Sequence, residues 1–218
     1  IKSAKYGRIA FVMPTSDRLC NLMLHKTKEE VFKLGKDIAK FALETAKGIP
    51  VDIQLAGAFD VDPLFISDVA SEMTELGIAT VGMGDTRGRV YPKEIARFID
   101  IIMQRADENV LFSVHLHDDL GFALVNNLAS IRRGIMMPST SWLGLAERNG
   151  LLRTELLTLH LAFETEKIGY KLDIDGDGLF MSQPNLKMIK QIADKVSKYT
   201  GVALKTTDPI VGTGVNSI

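Results

Sequence analysis

Cysteine, net charge and long apolar segments are all scarce in this sequence, and each scarcity excludes a class of protein. The single cysteine, Cys20, excludes a disulfide within the chain. The 26 basic and 27 acidic residues nearly cancel, which argues against nucleic acid or an anionic membrane surface as a partner. No apolar run approaches the roughly 20 residues that a bilayer-spanning helix needs. The sequence therefore predicts a cytoplasmic protein that binds neither nucleic acids nor membranes.

The chain has enough residues and enough apolar side chains to bury a large core. It contains 218 residues, and 46% of them are hydrophobic. It begins at Ile1 and has no signal-peptide pattern, so we expect it to be part of a longer polypeptide.

Strand-like and helix-like segments alternate along the chain with a period of roughly thirty residues, the size of one strand-plus-helix unit. Helix starts are marked by Thr27 and Glu30, which match a capping box, and by Pro92, which suits a first turn. Five units are predicted, with strands at residues 9–13, 51–55, 79–83, 110–116 and 135–143 and helices beginning near residues 27, 63, 92, 120 and 151.

This alternation predicts an α/β fold with a parallel sheet, and the loops decide between an open sheet and a barrel. An open sheet gathers its site at one crevice, whereas polar segments here follow several strands, at residues 15–17, 85–88, 115–118 and 147–149. We therefore expect residues 1–169 to form about the last five units of a (β/α)8 TIM barrel, the C-terminal part of a catalytic domain. Residues 170–218 are predicted to form a post-barrel helix with a linker or subdomain.

Two histidines and two aspartates lie together in residues 115–119, at the end of an apolar run. Successive strand side chains point to opposite faces, so His115 and His117 share one face, where two imidazoles can chelate a divalent metal. Histidines at a strand end are also common as packed or hydrogen-bonded residues, and that interpretation stays open on the pattern alone. The position after a strand and before a helix favours a functional site.

Two further loops carry candidate residues. In the segment Asp85 to Gly88, the Thr86 hydroxyl and backbone N–H groups suit a carboxylate ligand, although the segment also suits a turn that binds nothing. Glu147 and Arg148 follow the last strand and fit an ordinary surface ion pair. At a barrel rim they would instead orient a metal ligand or hold an acidic substrate through the planar guanidinium.

Three of these segments, in this order and at this spacing, resemble the metal-dependent acyl-CoA condensing and cleaving barrels. These are the isopropylmalate, homocitrate and citramalate synthases and, more distantly, hydroxymethylglutaryl-CoA lyase. The matching motifs are residues 85–88 with Pro92, then His115-x-His117-Asp118-Asp119-x-Gly121-x-Ala123-x-x-Asn126, then residues 144–148. The resemblance covers nearly the whole chain, from about the fourth barrel strand onward. The synthases are closer, because the glycine- and cysteine-bearing loop of the lyase is missing.

The resemblance implies a transferase of amino-acid biosynthesis with a pyruvate carboxyltransferase domain, which condenses acetyl-CoA with a 2-oxo acid. His115 and His117 would ligate a divalent cation, Mg²⁺, Mn²⁺ or Zn²⁺. Thr86 would bind the carboxylate of the 2-oxo acid, and we assign Arg148 to substrate binding as well. The implied chemistry is a Claisen condensation, in which the ketone is polarised, the acetyl methyl group loses a proton and water hydrolyses the thioester. A homodimer is the expected assembly.

Several positions differ from the family pattern. The arginine-aspartate-glycine segment of the first strand, which carries a further metal ligand, is not in this sequence. Leu151 stands where a metal-binding asparagine is expected, and Asn149 is the candidate substitute. Ala56 stands at an expected glutamate, and Asp118 at an expected asparagine. These changes keep two alternatives open, a metal-dependent carbon–carbon lyase and a barrel that has lost catalysis and serves as a binding or regulatory subunit.

Overall fold

The computed structural model describes residues 7–163 and 184–214 of the chain. Five parallel strands form one sheet, and each strand pairs with the next one along the sequence. The predicted strand-plus-helix units are therefore present in the predicted order. The strands are β1 (Ile9–Pro14), β2 (Val51–Ala56), β3 (Thr80–Asp85), β4 (Phe112–Leu116) and β5 (Met137–Pro138).

Three helices begin at residues with clear local reasons. Thr27 precedes a helix as its N-cap and forms a capping box with Glu30, and Pro63 and Pro92 each stand in a first turn, where the missing N–H costs nothing. The described helices are α1 (Asp17–Leu24), α2 (Lys28–Ala46), α3 (Pro63–Leu76), α4 (Pro92–Arg105), α5 (Ala123–Ile131), α6 (Thr154–Phe163) and α7 (Ile189–Thr200).

The face of the sheet that packs against the helices carries large aliphatic side chains. They are almost completely buried, and each contributes about 1.5–3 kcal/mol through loss of apolar surface from water. The helices supply matching side chains at helical spacing, such as Ile95, Ile99 and Ile102 of α4. The strand residues of this core include Ile53, Leu55, Val81, Met83, Val114 and Leu116.

The opposite face, here called the inner face, carries small and polar side chains in rows set by the parallel register. The lowest row includes Asp52 and Thr80, and the Arg8 guanidinium donates hydrogen bonds to both side chains. The middle row consists of Val12, Gln54, Gly82 and Ser113, and the upper row of Pro14, Ala56, Gly84 and His115. The inner face therefore leaves open space toward the C-terminal ends of the strands.

Some predicted boundaries were wrong. The last strand was predicted at residues 135–143, but only Met137 and Pro138 pair with β4. The strand is short because Pro138 offers no N–H for further pairing. The chain then turns at Leu143, which lies in the left-handed region with a φ of 58°. The following helix begins at Thr154, not at residue 151, and its predicted end lies outside the described residues. Helix α1 was not predicted at all.

The second described range, residues 184–214, packs against the loop after β5. Ile189, Ala193 and Val211 form a buried apolar cluster with Leu143, and Arg153 forms an ion pair with Asp208 at 3.1 Å. The predicted domain boundary at residues 169–170 lies outside the described residues and stays a prediction. No helix in the described ranges is long and apolar enough to cross a membrane.

Candidate active site

A cavity of about 290 Å³ opens on the inner face, at the C-terminal ends of the strands. Most of its side chains come from the inner-face rows and from the loop residues that continue their alternation. Parallel strands bring residues far apart in sequence to one edge in this way, which is why α/β enzymes place their sites there. The lining residues are Val12, Gln54, Leu55, Ala56, Gly84, Thr86, His115, His117 and Glu147.

His115 and His117 meet in this cavity as the alternation of strand side chains predicts. Their Nε2 atoms lie 3.3 Å apart. Two imidazole nitrogens on one divalent ion, each at about 2.1 Å, would be separated by roughly 3.0–3.4 Å for bond angles from square to tetrahedral. The pair therefore fits two positions of a metal's coordination shell.

The carbonyl of Gly150 fixes the protonation pattern of His117. His117 Nδ1 lies 3.2 Å from this oxygen, which can only accept a hydrogen bond. In the neutral ring the proton therefore stays on Nδ1, and Nε2 presents its lone pair to His115 and the cavity. Gly150 has a φ of +91°, and a Cβ there would collide with the carbonyl of Gly144. Glycine is thus required for the turn that delivers this carbonyl.

The surroundings of His115 favour its neutral imidazole. Burial is the largest cause that lowers the pKa of His115, the adjacent His117 lowers it further, and Glu147 opposes the shift. The pKa of Glu147 is also lowered, chiefly by a hydrogen bond with its own backbone and then by His117. Glu147 Oε2 lies 3.8 Å from His117 Nε2, and the Glu147 side chain is 76% exposed. The neutral imidazole of His115 and the ionised carboxylate of Glu147 together attract a cation.

Thr86 lies in the same cavity, and hydrogen bonds fix both its side chain and its backbone carbonyl. Its Oγ1 accepts a hydrogen bond from the Gly57 N–H at 2.8 Å, so the hydroxyl proton remains available to a ligand. Its carbonyl accepts a hydrogen bond from Arg148 Nη2 at 2.8 Å. The hydroxyl therefore suits an anionic acceptor such as a carboxylate.

Arg148 lies beside the cavity and is absent from its lining. Its Nε donates to Asp119 Oδ1 at 2.8 Å and its Nη2 to Asp119 Oδ2 at 2.7 Å, in addition to the bond to Thr86. The hydrogen bond from Arg148 is the main cause that lowers the pKa of Asp119. Arg148 thus connects the loops after β3, β4 and β5. Asp119 is not predictable as its partner from the sequence, because no local pattern joins residues 29 positions apart.

The changed family positions have local structural roles. The backbone of Leu151 pairs with His117 in an isolated antiparallel bridge. Asn149 is exposed, donates its amide to the Asp119 carbonyl at 3.3 Å and does not line the cavity, so its role as a substitute ligand stays a prediction. Asp118 accepts the N–H of Ala123 at the start of α5, which explains why this helix begins later than the predicted residue 120.

The metal-ligand set is incomplete within residues 7–163 and 184–214. They contain no group of three histidine, cysteine, aspartate or glutamate side chains placed to hold a metal ion. Ala56 contributes only a methyl group to the cavity. The described residues therefore offer a two-nitrogen half-site for a divalent cation, with Glu147 nearby at the mouth.

Comparison with known proteins places the chain in a family. The chain matches the HMGL-like family over residues 1–196. The 2-isopropylmalate synthase of Bacillus pumilus is 28% identical over 214 residues, which cover 97% of this chain and 39% of the relative. The chloroplastic methylthioalkylmalate synthase 3 of Arabidopsis thaliana is 27% identical over 215 residues, covering 97% and 41%. The chain thus spans about two fifths of the length of these relatives.

Among solved structures, the HMG-CoA lyase of Bacillus subtilis superposes with a TM-score of 0.70 at 19% identity, covering 93% of this chain and 65% of the lyase chain. At this identity the likeness concerns the fold, and it confirms the predicted α/β architecture as part of a TIM barrel. The motifs around Thr86, His115 and Arg148 predicted the same relationship. The chain belongs to the HMGL-like family.

Proposed function

We propose that this chain supplies part of the active site of an acyltransferase that condenses acetyl-CoA with a 2-oxo acid. The observation that carries the proposal is the pair of facing Nε2 atoms, 3.3 Å apart, in one cavity with the Thr86 hydroxyl. The synthases among its relatives support condensation over cleavage. In the overall reaction, acetyl-CoA, the 2-oxo acid and water give a 2-substituted malate and free CoA.

In this proposal His115 and His117 hold a divalent cation, with a further ligand from outside the described residues. Such a cation supplies polarisation of the ketone and stabilisation of the developing alkoxide. The Gly150 carbonyl keeps the His117 lone pair directed at the site. The low pKa of His115 keeps its imidazole neutral, and therefore able to ligate, at neutral pH.

Thr86 binds the substrate carboxylate in this proposal. Its hydroxyl already accepts the Gly57 N–H, so its own proton is directed to the ligand. Arg148 has its Nε and Nη2 engaged by Asp119 and Thr86, and we propose that it acts on the substrate by positioning Thr86. Direct substrate contact by Arg148, the role assigned from the sequence, stays a prediction that the double-mutant cycle described in the Discussion tests.

The proposal is tested by release of free CoA thiol from acetyl-CoA by the purified full-length protein. We expect release with at least one 2-oxo acid of a broad panel, its loss after treatment with a chelator, and its return with Mg²⁺, Mn²⁺ or Zn²⁺. The Thr86→Val variant, which keeps the shape but loses the hydroxyl, should raise KM for the 2-oxo acid about tenfold or more. Absence of thiol release with every 2-oxo acid would overturn the proposal.

The same preparation distinguishes the two other functions. Cleavage of a 3-hydroxy-3-carboxy acyl-CoA without any condensation would identify a lyase on this barrel. The third alternative, a barrel without catalysis, is favoured by the incomplete ligand set of the described residues. It would be supported if neither reaction occurs and the His115→Ala/His117→Ala variant retains the biological role of the protein.

A further inference from the structure

The middle row of the inner face contains one polar side chain that extends over a neighbouring strand. Gln54 of β2 stands in register with Gly82 of β3, one row below the row of His115. Residues two apart on a strand are separated by about 6.6 Å, so the Gln54 row forms the floor beneath the histidine pair. Gln54 also lines the cavity described above.

Gly82 is the reason that Gln54 can adopt this position. A Cβ atom at residue 82 would collide with the Oε1, Cδ and Nε2 atoms of Gln54. The glutamine amide therefore occupies the volume that any other residue at 82 would fill. Above it, Ala56 and Gly84 are also small, so the space between the amide and the histidine pair stays open.

The amide of Gln54 has no hydrogen-bond partner among residues 7–163 and 184–214, although the residue is half-buried. The row below it differs, because Asp52 accepts hydrogen bonds from Arg8 at 2.5 and 2.7 Å and Thr80 accepts another at 2.9 Å. The charged groups in the row below Gln54, Arg8 and Asp52, are therefore paired with each other. Gln54 presents an uncharged donor and an uncharged acceptor to the cavity.

We propose that Gln54 selects 2-oxo acids whose side chain ends in a neutral hydrogen-bonding group. This inference rests on the proposed function. An aliphatic end would leave the amide unpaired. A carboxylate end would meet no lysine or arginine among the described residues that line the cavity, and Arg8 in the row below is neutralised by Asp52. The distance between the His115 row and the Gln54 row also fits such a substrate. A terminal group two bonds beyond the ketone carbon, together with a hydrogen bond of about 2.9 Å to Gln54, spans about this distance.

Three 2-oxo acids of matched shape test the proposal. They are 2-oxosuccinamate with a neutral amide end, 4-methyl-2-oxopentanoate with an aliphatic end, and oxaloacetate with an anionic end. Thiol release by the full-length protein gives kcat/KM for each acid. We expect the amide to be preferred at least tenfold over both others, because a site that hydrogen-bonds a polar group discriminates against analogues that lack it.

Two variants assign that preference to Gln54. Gln54→Leu keeps the side-chain size and removes the amide, and it should reverse the preference between the amide and the aliphatic acid. Gly82→Ala displaces the glutamine and should reduce the preference at least threefold. Ser113→Ala, in the same row but outside the cavity lining, is the matched control and should leave the ratio of kcat/KM values unchanged.

The outcomes separate this inference from the proposed function. If thiol is released but the three acids react equally, or if Gln54→Leu leaves their ratio unchanged, the selectivity assigned to Gln54 is wrong and the condensation stands. If no 2-oxo acid supports thiol release, the proposed function itself fails, and this inference fails with it.

Discussion

Arg148 and Asp119 form a two-fold hydrogen-bonded ion pair between the loops after β5 and β4, with N–O distances of 2.8 and 2.7 Å. The same guanidinium binds the Thr86 carbonyl in the loop after β3. Planar guanidinium and carboxylate groups match in this geometry, which lysine cannot reproduce. Three loops that border the cavity are thus held by one side chain. Arg148 itself has a φ of 54°, in the left-handed region that residues other than glycine rarely adopt.

A double-mutant cycle on this pair distinguishes positioning from direct substrate binding. If Arg148 acts through Asp119 and Thr86, Arg148→Ala and Asp119→Ala should each lower kcat/KM about 10- to 100-fold, because small displacements of positioning groups are costly. The double variant should then be little worse than either single one. Additive losses, with a larger rise in KM for Arg148→Ala, would instead assign the guanidinium to the substrate.

The pH dependence of stability follows from the same pair. The hydrogen bond from Arg148 lowers the pKa of Asp119 from its ordinary value of 3.8, so the folded state binds this proton less readily than the unfolded chain. The stabilisation is therefore complete above the unfolded pKa and is lost as pH falls through the lower folded pKa.

Urea unfolding of wild type and Asp119→Asn at several pH values checks this sign. The difference in unfolding free energy should be constant above about pH 5 and should shrink as the pH falls below about 4. A difference that grows on acidification would contradict the direction of the Asp119 shift.

The parts of the fold that the sequence predicted depend on regular periodicity. The inner-face position shared by His115 and His117 follows from the two-residue period of a strand, and their common cavity confirms it. The start of α2 at its capping box follows from chemistry within one turn. Such features are local, so no knowledge of the tertiary structure is needed to find them.

The parts that were missed depend on contacts between distant segments. The loop after β5 reaches His117 through the Gly150 carbonyl, 33 positions away, and Asp119 through Arg148. Part of the reason for the short β5 is also of this kind, since beyond Pro138 the chain leaves β4 and Ser141 donates its N–H to the Leu152 carbonyl. Gln54 was visible as a polar residue in a strand, but its overlap with Gly82 requires the register of two strands.

Metal binding by the histidine pair is measured by titrating the full-length protein with Mn²⁺ or Zn²⁺ in a calorimeter. We expect about one site per chain, and loss of at least tenfold in affinity for both His115→Ala and His117→Ala, since each removes a ligand nitrogen. His25→Asn is the matched control, because His25 is exposed and ends α1 in the left-handed region, which asparagine tolerates. Equal affinity in the histidine variants and the control would exclude the pair as the site.

Gly150→Ala tests whether the loop after β5 orients His117. The substitution adds a Cβ that collides with the Gly144 carbonyl at a φ of +91°, so the turn must shift and the Gly150 carbonyl must leave His117 Nδ1. Gly121→Ala provides the matched control, because Gly121 also has a positive φ, 77°, but its Cβ would meet no atom within 4 Å. Both variants should lose about 1 kcal/mol or more of unfolding free energy through backbone strain.

Metal affinity then separates the two glycines. Gly150→Ala should weaken Mn²⁺ or Zn²⁺ binding about 10- to 100-fold, the range typical for loss of a group that orients a histidine ligand. Gly121→Ala should bind as tightly as wild type, since the strain at its loop does not reach His117. If the two variants lose equal stability and equal affinity, the Gly150 carbonyl has no particular role, and the direction of the His117 lone pair must come from another contact.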